Sequence, residues 1–350
     1  MKKCGIAANF RESILTTAPH SRRYTFVTVA YDAEAGLLLL QARSMRLYCP
    51  ADLIEEIILI DNGLPPSKRW LADLLRQYGD LAPLVRIIPA AKLADIPVGT
   101  HGWFKQQVLK VAVASAVRSD RYVVLDAKNH LIRKLHRDFL ETPTGLPRIN
   151  GYSYTSHPMR EFLERTLTYF NVDPESHIAW FIRTHTPFTF ITTEALDLVR
   201  HMEDREGKSF VSAFLEKNLS EFFLYSAFLM SKGILKSSYE FTQPHSTEIW
   251  GERANQKGCT EAICKAETDG ATFLAVHRRA TENIDEPGRK VVAEYWHARG
   301  LFPSVTDGIR FLRNPNRTHQ AANGRVFSWP LSVVVNRFAY RPKYSPGNAA

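Results

Sequence analysis

Three aspartates in this chain stand directly after apolar, β-branched runs. Asp32 follows YTFVTVAY (24–31), Asp61 closes EEIILID (55–61), and Asp126 ends the core of RYVVLDA (121–127), with Lys128 and Asn129 just behind it. If those runs are parallel strands, the segments Ala30-Tyr31-Asp32, Asp61-Asn62-Gly63 and Asp126-Ala127-Lys128-Asn129 share one sheet edge, the edge where open α/β sheets bind ligands. Carboxylates there suit ribose hydroxyls, the edge of a base or a metal-bound diphosphate. Lys105, Gln106 and Gln107 follow Gly99-Thr100-His101-Gly102, and a helix N-terminus behind glycines attracts anions. His277, Arg278 and Arg279 follow another apolar run, and arginines clamp phosphates with two parallel hydrogen bonds. Glu221, after Ser220, is a carboxylate able to take a proton from an attacking hydroxyl.

Each candidate has a plainer alternative. Asp32 serves equally as a helix cap, while for Asp61 turn formation is the secondary reading behind ligand contact. Gln106 suits a solvated first turn. Ser220-Glu221 also reads as a cap with compensation of the helix dipole. His185 and His245 lie in loop-like sequence, where polar surface is the simpler role.

The elements that must position these groups alternate. The strand at 24–31 is followed by a helix opened by Asp32, with Leu37, Leu40 and Leu47 on its apolar face. The strand at 55–61 ends in the turn Asn62-Gly63, and a helix over 68–78 carries Trp70, Leu71, Leu74 and Leu75. LVRIIP (84–89), GWFKQQVLKVAVASAV (102–117) and RYVVLDA complete a third strand, a long helix and a fourth strand. Four alternations with short links predict a mostly parallel sheet covered by helices on both faces. After residue 140 the rhythm breaks. Helices are expected near 159–170, 194–203 and 219–231, with a late strand at 272–277. The expected organisation is an N-terminal arm over 1–22, one domain over 23–300, and a basic tail over 301–350. The domain divides into a nucleotide-binding half (23–140) and an acceptor-side half (141–300).

Composition narrows the classes. With 45% hydrophobic and 23% charged residues the chain is globular, and its net charge of +9 favours anionic partners. The basic residues are dispersed and no nucleic-acid motif is present, so nucleic acid is not an expected partner. Cys4, Cys49, Cys259 and Cys264 lack the paired short spacings of a zinc site. No G-x-G-x-x-G follows the first strand and no P-loop occurs. The N-terminus lacks a signal-peptide core and no apolar run spans a bilayer. The expected location is cytoplasmic, with at most peripheral membrane contact.

The helix GWFKQQVLKVAVASAV followed by RYVVLDAKNHLIR resembles an uncharacterised bacterial family of glycosyltransferase-like proteins in the A-type nucleotide-diphospho-sugar transferase superfamily. Weaker matches are TPFTFITTEAL (186–196), SEFFLY (220–225) and AVHRR (275–279). The resemblance implies the A-type α/β fold and a nucleotide-sugar donor. It also implies a glycan or glycolipid acceptor and a role in bacterial surface polysaccharide synthesis. Many such transferases end this strand in D-x-D, whose carboxylates hold Mn²⁺ or Mg²⁺ on the diphosphate. Here Asp126 keeps the first place and Lys128 takes the second, so the metal, if one binds, rests on Asp126. The expected alternative is that Lys128 meets the diphosphate, Asp126 a ribose or sugar hydroxyl, and Asn129 the donor sugar. Lys105 and Gln107 would face the donor, and Glu221 would be the base. A non-catalytic relative that binds a nucleotide or glycan is the rival reading. A nucleotidyltransferase is disfavoured because VAYDAEAG is not a glycine-rich loop.

Overall fold

The computed structural model describes residues 22–64, 67–242 and 246–316. Cys4, His245, the expected arm up to residue 21 and the tail from residue 317 lie outside the described residues.

Strand β1 (Tyr24–Ala30) is buried along its whole length. Phe26 and Ala30 face one core while Val27 and Val29 face a second, so an unbroken apolar run is what this strand needs. Strand β2 (Ile54–Asp61) divides the same way, with Ile57 and Leu59 on one side and Ile58 and Ile60 on the other. With β3 (Val85–Pro89) and β4 (Arg121–Asp126) they form a parallel set in the order β3-β2-β1-β4. The strand Phe188–Ile191, from the segment TPFTFITTEAL, completes the sheet antiparallel to β4. The expected late strand, Phe273–Val276, is not in this sheet. It lies in a separate three-stranded one, between Ser246–Ile249 and β5 (Asn129–Leu131).

Helices cover both faces, as the alternation predicts. Helix α1 (Ala35–Tyr48), α2 (Lys68–Tyr78) and the helices Gln256–Thr268 and Glu286–Ala298 contribute to one core. Helix α3 (Gly102–Ala112), Thr192–Glu206 and Glu221–Ser231 contribute to the other. Ser67 caps α2, its hydroxyl accepting from Trp70 N at 3.4 Å. Helix α3 tightens into a 3-10 turn over Val113–Ala116, shorter than the sequence run suggests.

Two expectations change. Leu47 is 43% exposed, because α1 buries a face through Leu37, Leu40, Gln41 and Ser44 instead. The domain also extends past residue 300. Leu301, Phe302, Phe311 and Leu312 are buried in the first core, and the helix Val305–Arg313 packs on Glu286–Ala298. Arg, Asn and Pro residues in this stretch masked an amphipathic helix with a real apolar side.

Candidate functional site

The carboxyl ends of β1, β2 and β4 do converge, and the polar residues of α1 fix their geometry. Gln41 is buried in α1; its Nε2 donates to the carbonyls of Asp126 at 2.7 Å and Asn129 at 3.1 Å, while its Oε1 accepts from Thr28 at 2.9 Å. A buried amide with every partner satisfied pins the loop after β4 against β1.

Asp126 stands between two lysines. Lys110 Nζ, from α3, lies 2.9 Å from Oδ1, and Lys128 Nζ lies 3.5 Å from Oδ2, which also accepts from Thr186 Oγ1 at 3.0 Å. Burial would raise the Asp126 carboxyl, but the two ammoniums and their hydrogen bonds hold it below the usual carboxylate range. Lys110 also lies 3.1 Å from Glu221 Oε1 and over the Phe222 ring at 5.1 Å. Burial disfavours its charge, yet Asp126 and Glu221 outweigh burial and raise it. Glu221 keeps a net upward shift from burial despite Lys110. The shared ammonium therefore favours Asp126, the closer and more strongly ionised partner.

Several expected site residues take other roles. Glu221 is buried, its backbone N–H donating to Gln107 Oε1 at 3.3 Å and its Oε2 accepting from Ser220 at 3.3 Å. It neither faces an open cleft nor is capped by Ser220. Gln107 thus supports Glu221, and its Nε2 donates to Trp103 O at 3.4 Å. Asn129 is buried and spent on the turn: its Oδ1 accepts from Asp126 N at 2.7 Å and Thr186 Oγ1 at 2.6 Å. Its expected contact with a donor sugar is not available. Asp61 Oδ1 accepts from Gly63 N at 3.0 Å and Leu64 N at 2.8 Å, so the turn-forming role holds. Ala30 contributes its carbonyl to Asn62 N at 3.0 Å, and Asp32, exposed, contributes its N–H to Gly63 O at 2.8 Å. Asp32 makes no capping bond to α1, whose N-cap is Glu34. Lys105 lies in the first turn of α3, half-buried and outside the Lys110 contacts.

Lys128 is the less committed of the two lysines. Its contacts at 3.5 Å to Asp126 and 3.9 Å to Glu248 are beyond hydrogen-bond distance, and it stands 4.5 Å over the Trp250 ring. His277 stacks on Trp250 at 4.7 Å and caps the short helix Arg278–Asn283 through Nδ1. Burial, Lys128 and Arg279 push its imidazole down to about 4, so it is neutral. Arg278 pairs with Glu282 and reaches Tyr31, whose phenol is raised by burial and by Glu34. His185, beyond a cis Thr186-Pro187 peptide, contacts Arg183 and Glu248, each at 2.9 Å.

A divalent cation does not fit this arrangement. Asp126 faces an ammonium on each oxygen, and Lys128 occupies the place of the second carboxylate. Among the described residues no group of three or more His, Cys, Asp or Glu side chains could hold a metal ion. A metal on Asp126, as the sequence resemblance implies, would have to displace Lys110 or Lys128 from its oxygens. Cys49 and Cys259 are buried, Cys264 is exposed, and none of the three is in a disulfide.

The sequence reading missed Lys110, Glu34, Glu248, Arg183 and Trp250. Lys110 could have been found: it lies one turn after Gln107, among Val108, Leu109 and Val111, on the buried side of α3. Glu34 lies at the same edge, beside Tyr31 and near Asp126. Burial and the nearby Asp126 push its carboxyl up to about 7, against Lys128 and a hydrogen bond from Tyr31. The folded chain holds this proton where the unfolded chain has released it near 4.5. Its contribution to stability is therefore fully present below that value and lost as pH rises through about 7. Glu34→Gln removes the titration. Between about pH 4 and about pH 8 the stability difference should move in the variant's favour. Melting curves at the two pH values check this, and an unchanged difference would refute it.

Among the described residues no helix is long and apolar enough to cross a membrane. A search of curated proteins gave no sequence match. Among solved structures the chain is similar to the galactosyltransferase LgtC in complex with donor and acceptor sugar analogs, at 11% identity and TM-score 0.47, covering 79% of this chain and 99% of that one. It is also similar to the bifunctional glycosyltransferase WbbM (11%, TM-score 0.43, 73% and 45% covered). The glycosyltransferase GlyE of Streptococcus pneumoniae TIGR4 is a third such structure (11%, TM-score 0.40, 83% and 62% covered). At these identities and scores no residue role carries across. The profile of a family of unknown function matches residues 84–276, more than half of the chain and the stretch that supplies β4, Lys110, Lys128, Glu221 and Glu248. This chain belongs to that family, DUF6492.

Proposed function

We propose that this protein is a glycosyltransferase that moves a sugar from a nucleoside-diphosphate donor to a glycan hydroxyl without a divalent cation. The observation that carries the reading is Lys128, whose loosely held ammonium stands at the end of β4 beside an ionised Asp126. An ammonium there can meet the charge that grows on a departing diphosphate, the task a metal ion performs elsewhere. Asp126, ionised and fixed by Lys110 and Thr186, is placed to accept from a ribose or sugar hydroxyl. Tyr31 and Arg278 lie at the adjoining end of β1 and suit the rest of the nucleotide. Glu221 is sealed behind Lys110, so the proton of an acceptor hydroxyl goes to Glu34, the carboxylate of this edge held near neutrality. Surface polysaccharide synthesis is the setting that the sequence resemblance implies.

The burial of Glu221 also favours a second reading, a binding protein that keeps the fold without the reaction. One assay separates them. The protein is incubated with UDP-, GDP-, ADP- and dTDP-linked sugars and a chelator, and release of the free nucleoside diphosphate is followed over time. Release from one donor, reduced by Glu34→Gln with a changed pH profile, is the expected result. Binding of a nucleotide with no release under any condition would establish the second reading.

A further inference from the structure

Two residues beyond Lys128 stands a buried histidine that the sugar-transfer reading leaves unused. His130 lies in β5, opposite Leu274 of the strand Phe273–Val276, and is 1% exposed. Trp296, buried in the helix Glu286–Ala298, donates from its indole Nε1 to His130 Nε2 at 2.9 Å, the two rings meeting edge to face. On the other side of the imidazole, Nδ1 stands 3.3 Å from the backbone carbonyl of Lys128. An indole N–H can only donate, so Nε2 accepts and carries no proton. Burial pushes the imidazole down to about 4, so it is neutral and holds one ring proton. That proton is therefore on Nδ1, which donates to the Lys128 carbonyl.

The direction of that bond matters because of where the carbonyl sits. Gln41 pins the turn after β4 at Asp126 and Asn129. Between those anchors, the Lys128 carbonyl accepts from Val276 N at 3.3 Å and from His130. The Lys128 ammonium makes only loose contacts, at 3.5 Å to Asp126, 3.9 Å to Glu248 and 4.5 Å over the Trp250 ring. Its place is thus set from the backbone end of the side chain, and a shift there reaches Nζ. Trp296 is locked in its turn, stacked on Phe302 at 5.3 Å with Phe311 against its edge at 5.7 Å. Packing alone does not call for a histidine at 130, since two buried ring nitrogens must both be paired. A ring whose nitrogens have different fixed partners orients the group it touches.

We propose that His130, its tautomer fixed by Trp296, is a positioning residue that holds the Lys128 backbone so that the ammonium meets the donor diphosphate. This rests on the reading of Lys128 as the diphosphate's counter-charge, though the NMR tests need no nucleotide. In ¹⁵N-histidine spectra of the full chain, His130, assigned by its loss in His130→Asn, should carry its proton on Nδ1. A proton on Nε2 overturns the proposal. In ¹³C-lysine spectra the ε-methylene of Lys128, assigned by its loss in Lys128→Ala, should be displaced by the ring current of Trp250. His130→Leu should move that signal towards the ordinary lysine position. His130→Asn, whose amide can still donate where Nδ1 does, should restore most of it. An unmoved signal in folded His130→Leu, or equal movement in both variants, overturns the role. Calorimetry with UDP, GDP, CDP and ADP should show affinity falling roughly threefold to tenfold in His130→Leu. Added to Lys128→Ala, the same change should cost nothing further, and full additivity overturns the coupling. Circular dichroism checks that His130→Leu folds. If it does not, Trp296→Phe decides, with the Lys128 signal expected to move the same way and an unmoved signal overturning the role. A Lys128 signal that follows His130 in a protein that binds no nucleotide sinks the donor reading alone. Nucleotide binding with signal and affinity both unchanged in His130→Leu sinks the positioning role alone.

Discussion

Replacing Lys110 with methionine is expected to destabilise the fold by about 3–5 kcal/mol, the usual result of stripping one partner from a buried ion pair. Methionine fills much the same volume, so the loss is electrostatic rather than a cavity. Asp126 and Glu221 would then share a buried region with no cation between them, one of them pushed to protonate. The double variant Lys110→Met, Glu221→Gln should recover part of the loss, because one of the two stranded charges is gone. Denaturant unfolding of the wild type, both single variants and the double variant measures the coupling. A Lys110→Met protein within about 1 kcal/mol of the wild type would mean that this network does not organise the sheet edge.

The second large effect belongs to Lys128→Ala. Removing a charged hydrogen-bond donor to a diphosphate should weaken nucleoside-diphosphate binding roughly tenfold to a hundredfold. Stability should change little by comparison, since the contacts of Lys128 to Asp126 and Glu248 are looser than those of Lys110. Titration calorimetry together with melting separates the two. A large loss of stability with unchanged affinity would reassign Lys128 as a counter-ion for Glu248.

Much of the fold was legible because parallel strands buried on both faces must be continuous apolar runs. β1, β2 and β4 announce themselves in YTFVTVA, IEEIILID and RYVVLD. The chain beyond residue 300 was misread because Arg310 and Arg313 lie on the outer side of a helix whose Phe311 and Leu312 are inside. Sequence order also located the edge where Asp126, Lys128 and Arg278 gather. It could not distribute their duties. Asn129 and Asp61 are polar residues at strand ends, like ligand-binding ones, but their oxygens are consumed by backbone N–H groups of their own turns. Glu221 was legible as a charged residue opening a helix. Its partner was not, because Lys110 lies 111 positions away and meets it only after folding. Glu248 shows the same limit: its cations come from the loop after β4 and from the 183–185 segment, brought together by tertiary packing alone.

The central claim is a nucleotide site in which lysine stands where a metal-binding carboxylate would. Calorimetric titration of the wild type with nucleoside diphosphates and their sugars, first with Mn²⁺ and then with EDTA, tests it most directly. The account expects one nucleotide to bind with the same affinity in both conditions. Binding that appears only with Mn²⁺, or no binding in either condition, would contradict it.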